Sequence, residues 1–396
     1  MTELQDGNPS SFNAGATIAL ARLADLPSPE RPAGRAGALL NRVLVYARPQ
    51  QVPALLPHLD NDRGGFVMAG AKARERVGKL VAEGFTGPLL IDPAAYETHV
   101  ATPREPFWLP ENQLLPMTLD DLLDQQIAAG AVAAITSTKF ITAGDTDSLK
   151  AAARQVKQLG RDDVILLAPL DISLLGKRYI RQTTAILADV GSPVALVLGK
   201  QFDPLDQAPA QVIPNLRVLA ATVPLMPVRT DFNAFDLVAH GAFAAAIGTG
   251  GSLRHAVEPP QKAKAYRQDP SPSVLVPELL CWWKGSKLAE LFGARPRLGI
   301  RCPCAVCDTQ LLTRFLQRTD QNEAMSHAVS VWSGYARDML AAPSLRLRAR
   351  YWRRLCQNAL DHHKIIAAQL KKAKPLKPQK PLEVWAKLPL WPSDAE

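Results

Sequence analysis

Long apolar runs are missing from this chain of 396 residues. No segment stays hydrophobic for the roughly 20 residues a helix needs to span a bilayer. The opening stretch MTELQDGNPSSFNAG has neither the basic start nor the apolar core of a signal peptide. The expectation is a soluble, cytoplasmic protein with no membrane partner. Cysteine is scarce as well, with five in all and three of them between 302 and 307. Thiols so few and so unevenly spread exclude the disulfide framework of a small secreted domain. The two outliers, Cys281 in LLCWWKG and Cys356 on an Arg-rich stretch, read as unpaired core thiols. No Rossmann glycine fingerprint follows any apolar run, which argues against an open dinucleotide-binding sheet.

What is present is an alternation. Apolar runs at 42–49, 87–97, 131–140, 163–173, 193–203, 216–231 and 241–251 end in polar residues. Between them lie amphipathic windows such as TDSLKAAARQVKQLG, with apolar residues at helical spacing and a terminal glycine. Nearly continuous apolar strands alternating with helices predict an α/β fold with a parallel sheet. This many units predict a (β/α)8 TIM barrel over 41–280, with the 216–231 run supplying two strands by turning at Ala221 to Pro224. The remainder divides into an N-terminal extension (1–40), a zinc-binding subdomain (281–345) and a basic C-terminal helix and tail (346–396). A hydrophobic content of 47% is ample for a large core.

The active face of such a barrel is made by residues at the C-terminal ends of its strands. Here these are Arg48, Asp92, Tyr96, Thr136, Ser137, Asp171, Ser173, Gln201, Asp203, Arg229 and Asp231. They are joined by Gly248, Gly250 and Gly251 in GTGGSLRH, with Arg254 and His255 close behind. A single aspartate after a strand is more often a helix cap. Asp92, Asp171, Asp203 and Asp231 at one mouth instead suggest acid–base or nucleophilic chemistry. The glycine run offers backbone N–H groups to an anion, and a tight turn explains it nearly as well. Asp171, Asp203, Arg229, Gly248, Gly250, Gly251 and Arg254 are therefore the substrate-binding candidates.

Cys302, Cys304 and Cys307 form a C-x-C-x-x-C run, and His327 follows after nineteen residues. Three soft thiolates and an imidazole match Zn²⁺ in a closed tetrahedral site, which leaves no open position for substrate, so the expected zinc is structural. The intervening DTQLLTRFLQRTDQNEAMS is predicted as a helix that brings the histidine back. Further on, Arg346, Arg348, Arg350, Arg353 and Arg354 surround Tyr351 and Trp352, and residues 364–387 hold seven lysines against one acid, Glu383. Clustered cations raise the expectation of a polyanionic partner. The Lys/Pro tail is expected to add little to folding, with Leu382, Val384, Trp385 and Trp391 as the residues able to dock.

A C-x-C-x-x-C with a distant histidine behind a (β/α)8 barrel resembles the zinc site of the tRNA-guanine transglycosylase superfamily, the queuine and archaeosine tRNA-ribosyltransferases and their DNA-modifying relatives. LLIDPAAYE (89–97) is similar to that family's strand ending in D-S-G-G-F-Q, and PLMPVRTDFNAFDLVAHGAF (224–243) to its Y-L-M-G-V-G-x-P-x-D-L stretch. The resemblance implies base exchange in tRNA or DNA. An aspartate attacks ribose C1′ of a guanine nucleotide, guanine leaves, and a 7-deazaguanine takes its place. It also implies that Asp92 orients or protonates the bases. The family's nucleophile lies in G-x-D-x-F-D, matched here by GAFAAA (241–246), so Ala246 stands at its position. Alanine has no lone pair for covalent catalysis, and Pro93, Ala94 and Ala95 replace the family's glycines. Three expectations follow. The chain is an active transglycosylase with Asp231 as relocated nucleophile, or a non-catalytic zinc barrel that binds nucleic acid, a second copy or a catalytic partner. The third is an unrelated barrel enzyme acting on a small phosphorylated substrate.

Overall fold

The computed structural model describes residues 31–110, 116–261, 269–370 and 376–390. Its first part is built on eight short parallel strands: β1 (Arg42–Ala47), β2 (Phe66–Ala69), β3 (Leu89–Asp92), β4 (Ala134–Ile135), β5 (Val164–Asp171), β6 (Val194–Gly199), β7 (Leu225–Pro227) and β8 (Ala244–Gly248). They form two four-stranded sheets in the orders β3-β2-β1-β8 and β4-β5-β6-β7. Where β7 meets β8, Thr230 bridges Ile247 in parallel and the Phe243 N–H donates to the Leu225 carbonyl over 3.0 Å. Beside β3, the Val132 N–H donates to the Leu89 carbonyl over 2.9 Å.

Side chains alternate along a strand, and here the two sets belong to different apolar clusters. Val43, Val45, Phe66, Met68, Leu166 and Leu196 pack with the helices, whereas Leu44, Tyr46, Val67, Ile165, Leu167 and Val197 pack among themselves. Both faces of the strands are thus buried, which is why they read as unbroken apolar runs. The helices between them start and stop where local chemistry dictates. Thr118 and Asp121 make a capping box ahead of Leu119–Ala128, and Asp145 accepts from the Ser148 N–H ahead of Thr146–Leu159. Gly160 closes the latter helix with φ of 62°, a left-handed turn that glycine adopts without strain.

Two strand expectations are corrected. The 216–231 run does not supply two strands: its first half continues a helix, Pro209–Thr222, and only Leu225–Pro227 is extended. The missing strand is β2, whose FVMA is pinched between Gly64, Gly65 and Gly70.

An antiparallel hairpin, β9 (Ser273–Val276) and β10 (Cys281–Lys284), crosses the expected division at 280. The stretch between Cys307 and His327 is not one helix. It holds two single 3-10 turns, Leu312–Arg314 and Arg318–Asp320, and His327 lies within the next helix, Gln321–Leu340. That helix and Leu345–Leu370 share the core of the parallel sheets through Met325, Val329, Trp332, Trp352 and Cys356. Cys281 and Cys356 are free and buried, as expected.

The C-terminal tail belongs to the same core, against the expectation that it adds little to folding. The helix Lys380–Lys387 buries Leu382, Val384 and Trp385, and the Trp385 ring meets that of Trp352 edge-on at 5.5 Å. Arg217, buried in a two-point ion pair with Asp236 at 3.0 and 2.6 Å, also donates to the Pro389 carbonyl over 3.3 Å. Trp391 falls outside the described residues. Among those residues no helix is long and apolar enough to cross a membrane.

Candidate functional site

Side chains at the C-terminal ends of the strands form two layers. In the inner layer Asp92, at the end of β3, is fully buried. Its Oδ2 accepts the hydroxyls of Tyr46 (2.6 Å) and Tyr96 (2.8 Å), while Oδ1 accepts the Ala94 N–H (2.7 Å). Burial pushes the Asp92 carboxyl up, opposed by those hydrogen bonds, and burial keeps both tyrosines protonated as donors. Arg229 fills the space above. It donates to the Tyr96 hydroxyl, to Glu97 and to the carbonyls of His255 and Ser252. This network holds Arg229 at φ of 51°, a left-handed conformation that a bulky residue adopts only when its surroundings impose it. Glu97 is shared with Arg48. Burial alone would raise the Glu97 carboxyl, but the two arginines hold it below its ordinary value.

The outer layer is open. A cavity of about 200 Å³ is lined by Asp203 after β6, Thr230 and Asp231 after β7, Gly251, Arg254 and His255 after β8, Ser273 and Trp282 of the hairpin, and Gln379 of the tail. A second cavity of about 360 Å³ shares Asp203, Gly251 and His255 and adds Glu97, Gln201, Arg229 and Gln261. Each aspartate is fixed by a backbone donor: Asp203 Oδ1 accepts the Leu205 N–H at 3.0 Å and Asp231 Oδ1 the Asn233 N–H at 2.9 Å. Burial, then the nearby Asp231 and Asp206 charges, push Asp203 up to about 8. Burial also raises Asp231. Burial lowers Arg254 to about 9 against the pull of Asp231 and Asp203, and burial with Arg229 and Arg254 lowers His255 to about 4. The Arg254 guanidinium lies 3.7 Å from the centre of the Trp282 ring, which stacks on Phe232 at 4.4 Å. Asp203, raised by burial and by the Asp231 charge, can offer a protonated carboxyl in the cavity that Asp231 also lines.

The remaining mouth candidates have other partners. Asp171, ending β5, accepts the Ser173 N–H at 2.9 Å and meets Lys200 Nζ at 3.3 Å, and it lines neither cavity. Gly248 is a packing requirement, since a Cβ there would sit 1.8 Å from the Leu253 carbonyl oxygen. The N–H groups of Gly248, Leu253 and Arg254 are spent on the carbonyls of Thr230, Gly250 and Gly251, which leaves few donors in the glycine run for an anion. A Cβ at Gly250 or Gly251 would meet nothing within 4 Å. Ala246 is buried in β8 beside Leu44 of β1. Sequence reasoning missed Tyr46, Glu97, Trp282 and Gln379. Only Trp282, in the aromatic LLCWWKG, carried a local signal.

The Cys302, Cys304, Cys307 and His327 ligand atoms all lie within 4.8 Å of one another, so the group could hold a metal ion. The Cys307 N–H and Asp308 N–H both turn back to the Cys304 carbonyl, at 3.1 and 3.0 Å, which folds the thiols inward. His327 Nδ1 is 3.4 Å from Cys304 Sγ and 3.3 Å from Cys307 Sγ. A tetrahedral ion with ordinary Zn–S and Zn–N bonds sets that edge at roughly 3.6 Å. His327 Nε2 lies 2.8 Å from the Leu275 carbonyl. Donating there leaves the Nδ1 lone pair for a metal. Arg314 Nη2, 3.6 Å from Cys307 Sγ, adds positive charge beside the thiolates.

No protein-family model matches the chain, and no curated protein matches it. Among solved structures, the carboxyl transferase domain of Rhizobium etli pyruvate carboxylase, with pyruvate and biocytin, is similar at 12% identity and a TM-score of 0.33, over 97% of this chain and 71% of that one. FabK from Thermotoga maritima is similar at 12% identity and a TM-score of 0.30, over 84% of this chain and 96% of that one. At these scores neither likeness bears on function, and what the chain is rests on its own architecture: a mixed α/β protein with parallel sheets and a Cys3His group able to hold a metal.

Proposed function

We propose that the chain is a divergent member of the tRNA-guanine transglycosylase superfamily that exchanges the base of a guanine nucleotide in tRNA or DNA for a 7-deazaguanine. In this reading the eight strands close into a (β/α)8 barrel, which the contacts between β7 and β8 and beside β3 support. The Cys3His group holds structural zinc, which the donor set and its spacing support. The protein acts in the cytoplasm.

The observation that carries the reading is the Asp203–Asp231 pair in one cavity at the strand mouth, with Arg254 between charge and aromatic wall. Asp231 as carboxylate attacks C1′, the C1′–N9 bond breaks, and protonated Asp203 gives its proton to the departing guanine. The incoming base then returns a proton to Asp203 as its N9 takes C1′ from Asp231, so protons and bonds balance. Asp92 has both oxygens engaged by Tyr46, Tyr96 and Ala94, so here it anchors the wall under Arg229 instead of touching a base.

Incorporation of radiolabelled guanine into mixed tRNA and into plasmid DNA tests the proposal. Wild type should incorporate label and Asp231→Asn should lose at least about 100-fold in rate. A second reading, the non-catalytic barrel, is favoured by one specific feature: Ala246, at the position of the resembled family's nucleophile, is fully buried in β8 and has no group to react. Saturable nucleic-acid binding without any incorporation would select it.

A further inference from the structure

The strands also have a charged N-terminal end, remote from the cavity. Arg42 opens β1, and Arg63 precedes β2, with the Val43 N–H donating to the Arg63 carbonyl. Arg348 Nη1 donates to Asn41 Oδ1 at 2.8 Å, which brings the start of the helix Leu345–Leu370 to the same end. The Arg42 guanidinium is fixed by the carbonyls of Ala38, Asn61 and Gly64, and that of Arg348 also by Ala342. Carbonyls position these cations without neutralising them, and among the described residues no carboxylate comes within ion-pair reach of either. Burial, then like charge, lowers both: Arg63 acts on Arg42, and Arg31 and Arg63 act on Arg348. The acids nearest Arg42 are Asp60 and Asp62, which favour its charge; Asp60 Oδ1 is engaged by the N–H groups of Asp62 and Arg63 and its Oδ2 faces Arg337 at 4.0 Å. Ahead of β5, Asp162 lies beside Gly34, and Asp120, Asp124 and Asp163 are paired with Arg161. Farther along, Asp338 faces Tyr351. Arg350 and Arg354 are exposed on the helix that Arg348 begins. Four residues apart, they stand about 6 Å apart along the axis.

We infer that this end of the molecule is a second nucleic-acid surface, in which Arg31, Arg42, Arg63 and Arg348 grip phosphates and Arg350 and Arg354 extend the track. Preorganised, uncompensated guanidinium groups are the chemistry that phosphodiesters select. An anionic membrane fits less well, because Leu347 is the one large apolar side chain exposed over residues 345–354, and interfacial helices need an apolar face. Binding here does not require exchange chemistry at the mouth, so the inference stands apart from the proposed activity.

Fluorescence anisotropy with a labelled duplex oligonucleotide and a labelled tRNA transcript tests it, at about 50 and about 200 mM salt. The variant Arg63→Glu/Arg350→Glu/Arg354→Glu spares the arginines that hold backbone carbonyls. Its affinity at low salt should fall at least about tenfold, and its log–log salt slope should flatten by about 0.9 for each phosphate that is no longer neutralised. A charge-matched control, Lys150→Glu/Arg154→Glu/Lys157→Glu on an exposed helix face, should bind like wild type. Should the triple variant melt early, Arg350→Ala/Arg354→Ala removes only exposed side chains and should still flatten the slope. Unchanged slopes, an equal loss in the control, or tighter binding to phosphatidylserine vesicles than to either nucleic acid would overturn the inference.

Discussion

Replacing Trp385 with alanine should destabilise the whole protein and not merely loosen its tail. Trp385 is 2% exposed, and its ring leans on Trp352, which stacks on Phe235 at 5.7 Å. Phe232 continues the series to Trp282 and so to Arg254 at the cavity. Truncating a buried tryptophan costs about 3–5 kcal/mol when its surroundings cannot collapse, and this one sits on a helix packed against both Leu345–Leu370 and Pro209–Thr222. Against a typical net stability of about 5–15 kcal/mol, that is a large fraction. Trp385→Phe should cost far less, because the indole Nε1 is buried without a partner and phenylalanine removes it. Urea unfolding of wild type and both variants measures this directly, and the slope should stay constant while the midpoint falls. A Trp385→Ala unfolding free energy within about 0.5 kcal/mol of wild type, the range of surface substitutions, would refute the reasoning. The tail would then be the appendage that its lysines suggest.

The purified protein should carry one zinc per chain by elemental analysis, and Cys304→Ala or His327→Ala should lose it and lower the melting temperature, since structural zinc contributes binding free energy on the order of 10 kcal/mol. A metal-free preparation with unchanged melting would refute the assignment. Asp203 titrates at about 8 when folded, above its ordinary 3.8. The folded state therefore holds the proton more tightly than the unfolded chain, and this contribution to stability, full below about pH 4, is lost as pH rises toward 8. Asp203→Asn should flatten that decline and stabilise the protein at pH 8 and above; an identical pH profile would show that the carboxyl is not raised.

The Cys3His group able to hold a metal was legible because three of its members crowd into six residues, and thiolates at that spacing with one later imidazole make a recognisable donor set. The alternation of strands and helices was legible from buried apolar runs, but β2 was not, because four residues between glycines carry too little pattern. The second half of the helix Pro209–Thr222, from Leu216 on, passed for strand because Leu216, Arg217, Leu219 and Ala220 are all buried, which erases the helical period. The mouth aspartates could be found one by one, since each ends a strand (Asp92, Asp171) or follows one within four residues (Asp203, Asp231). Which of them meet is a matter of loop geometry: Asp203 and Asp231 converge, Asp171 turns to Lys200, and Asp92 is closed in by tyrosines that no motif announces. Trp282 and Gln379 reach the cavity from segments far along the chain: the aromatic LLCWWKG marks Trp282 without placing it at the cavity, and Gln379 carries no local signal at all.

The most direct test of the account is intact-protein mass spectrometry after rapid denaturation of wild type mixed with a guanine-containing tRNA or oligonucleotide. The account predicts a covalent nucleic-acid adduct that peptide mapping assigns to Asp231, absent from Asp231→Asn. An adduct on another residue, or full exchange by Asp231→Asn without one, would contradict it.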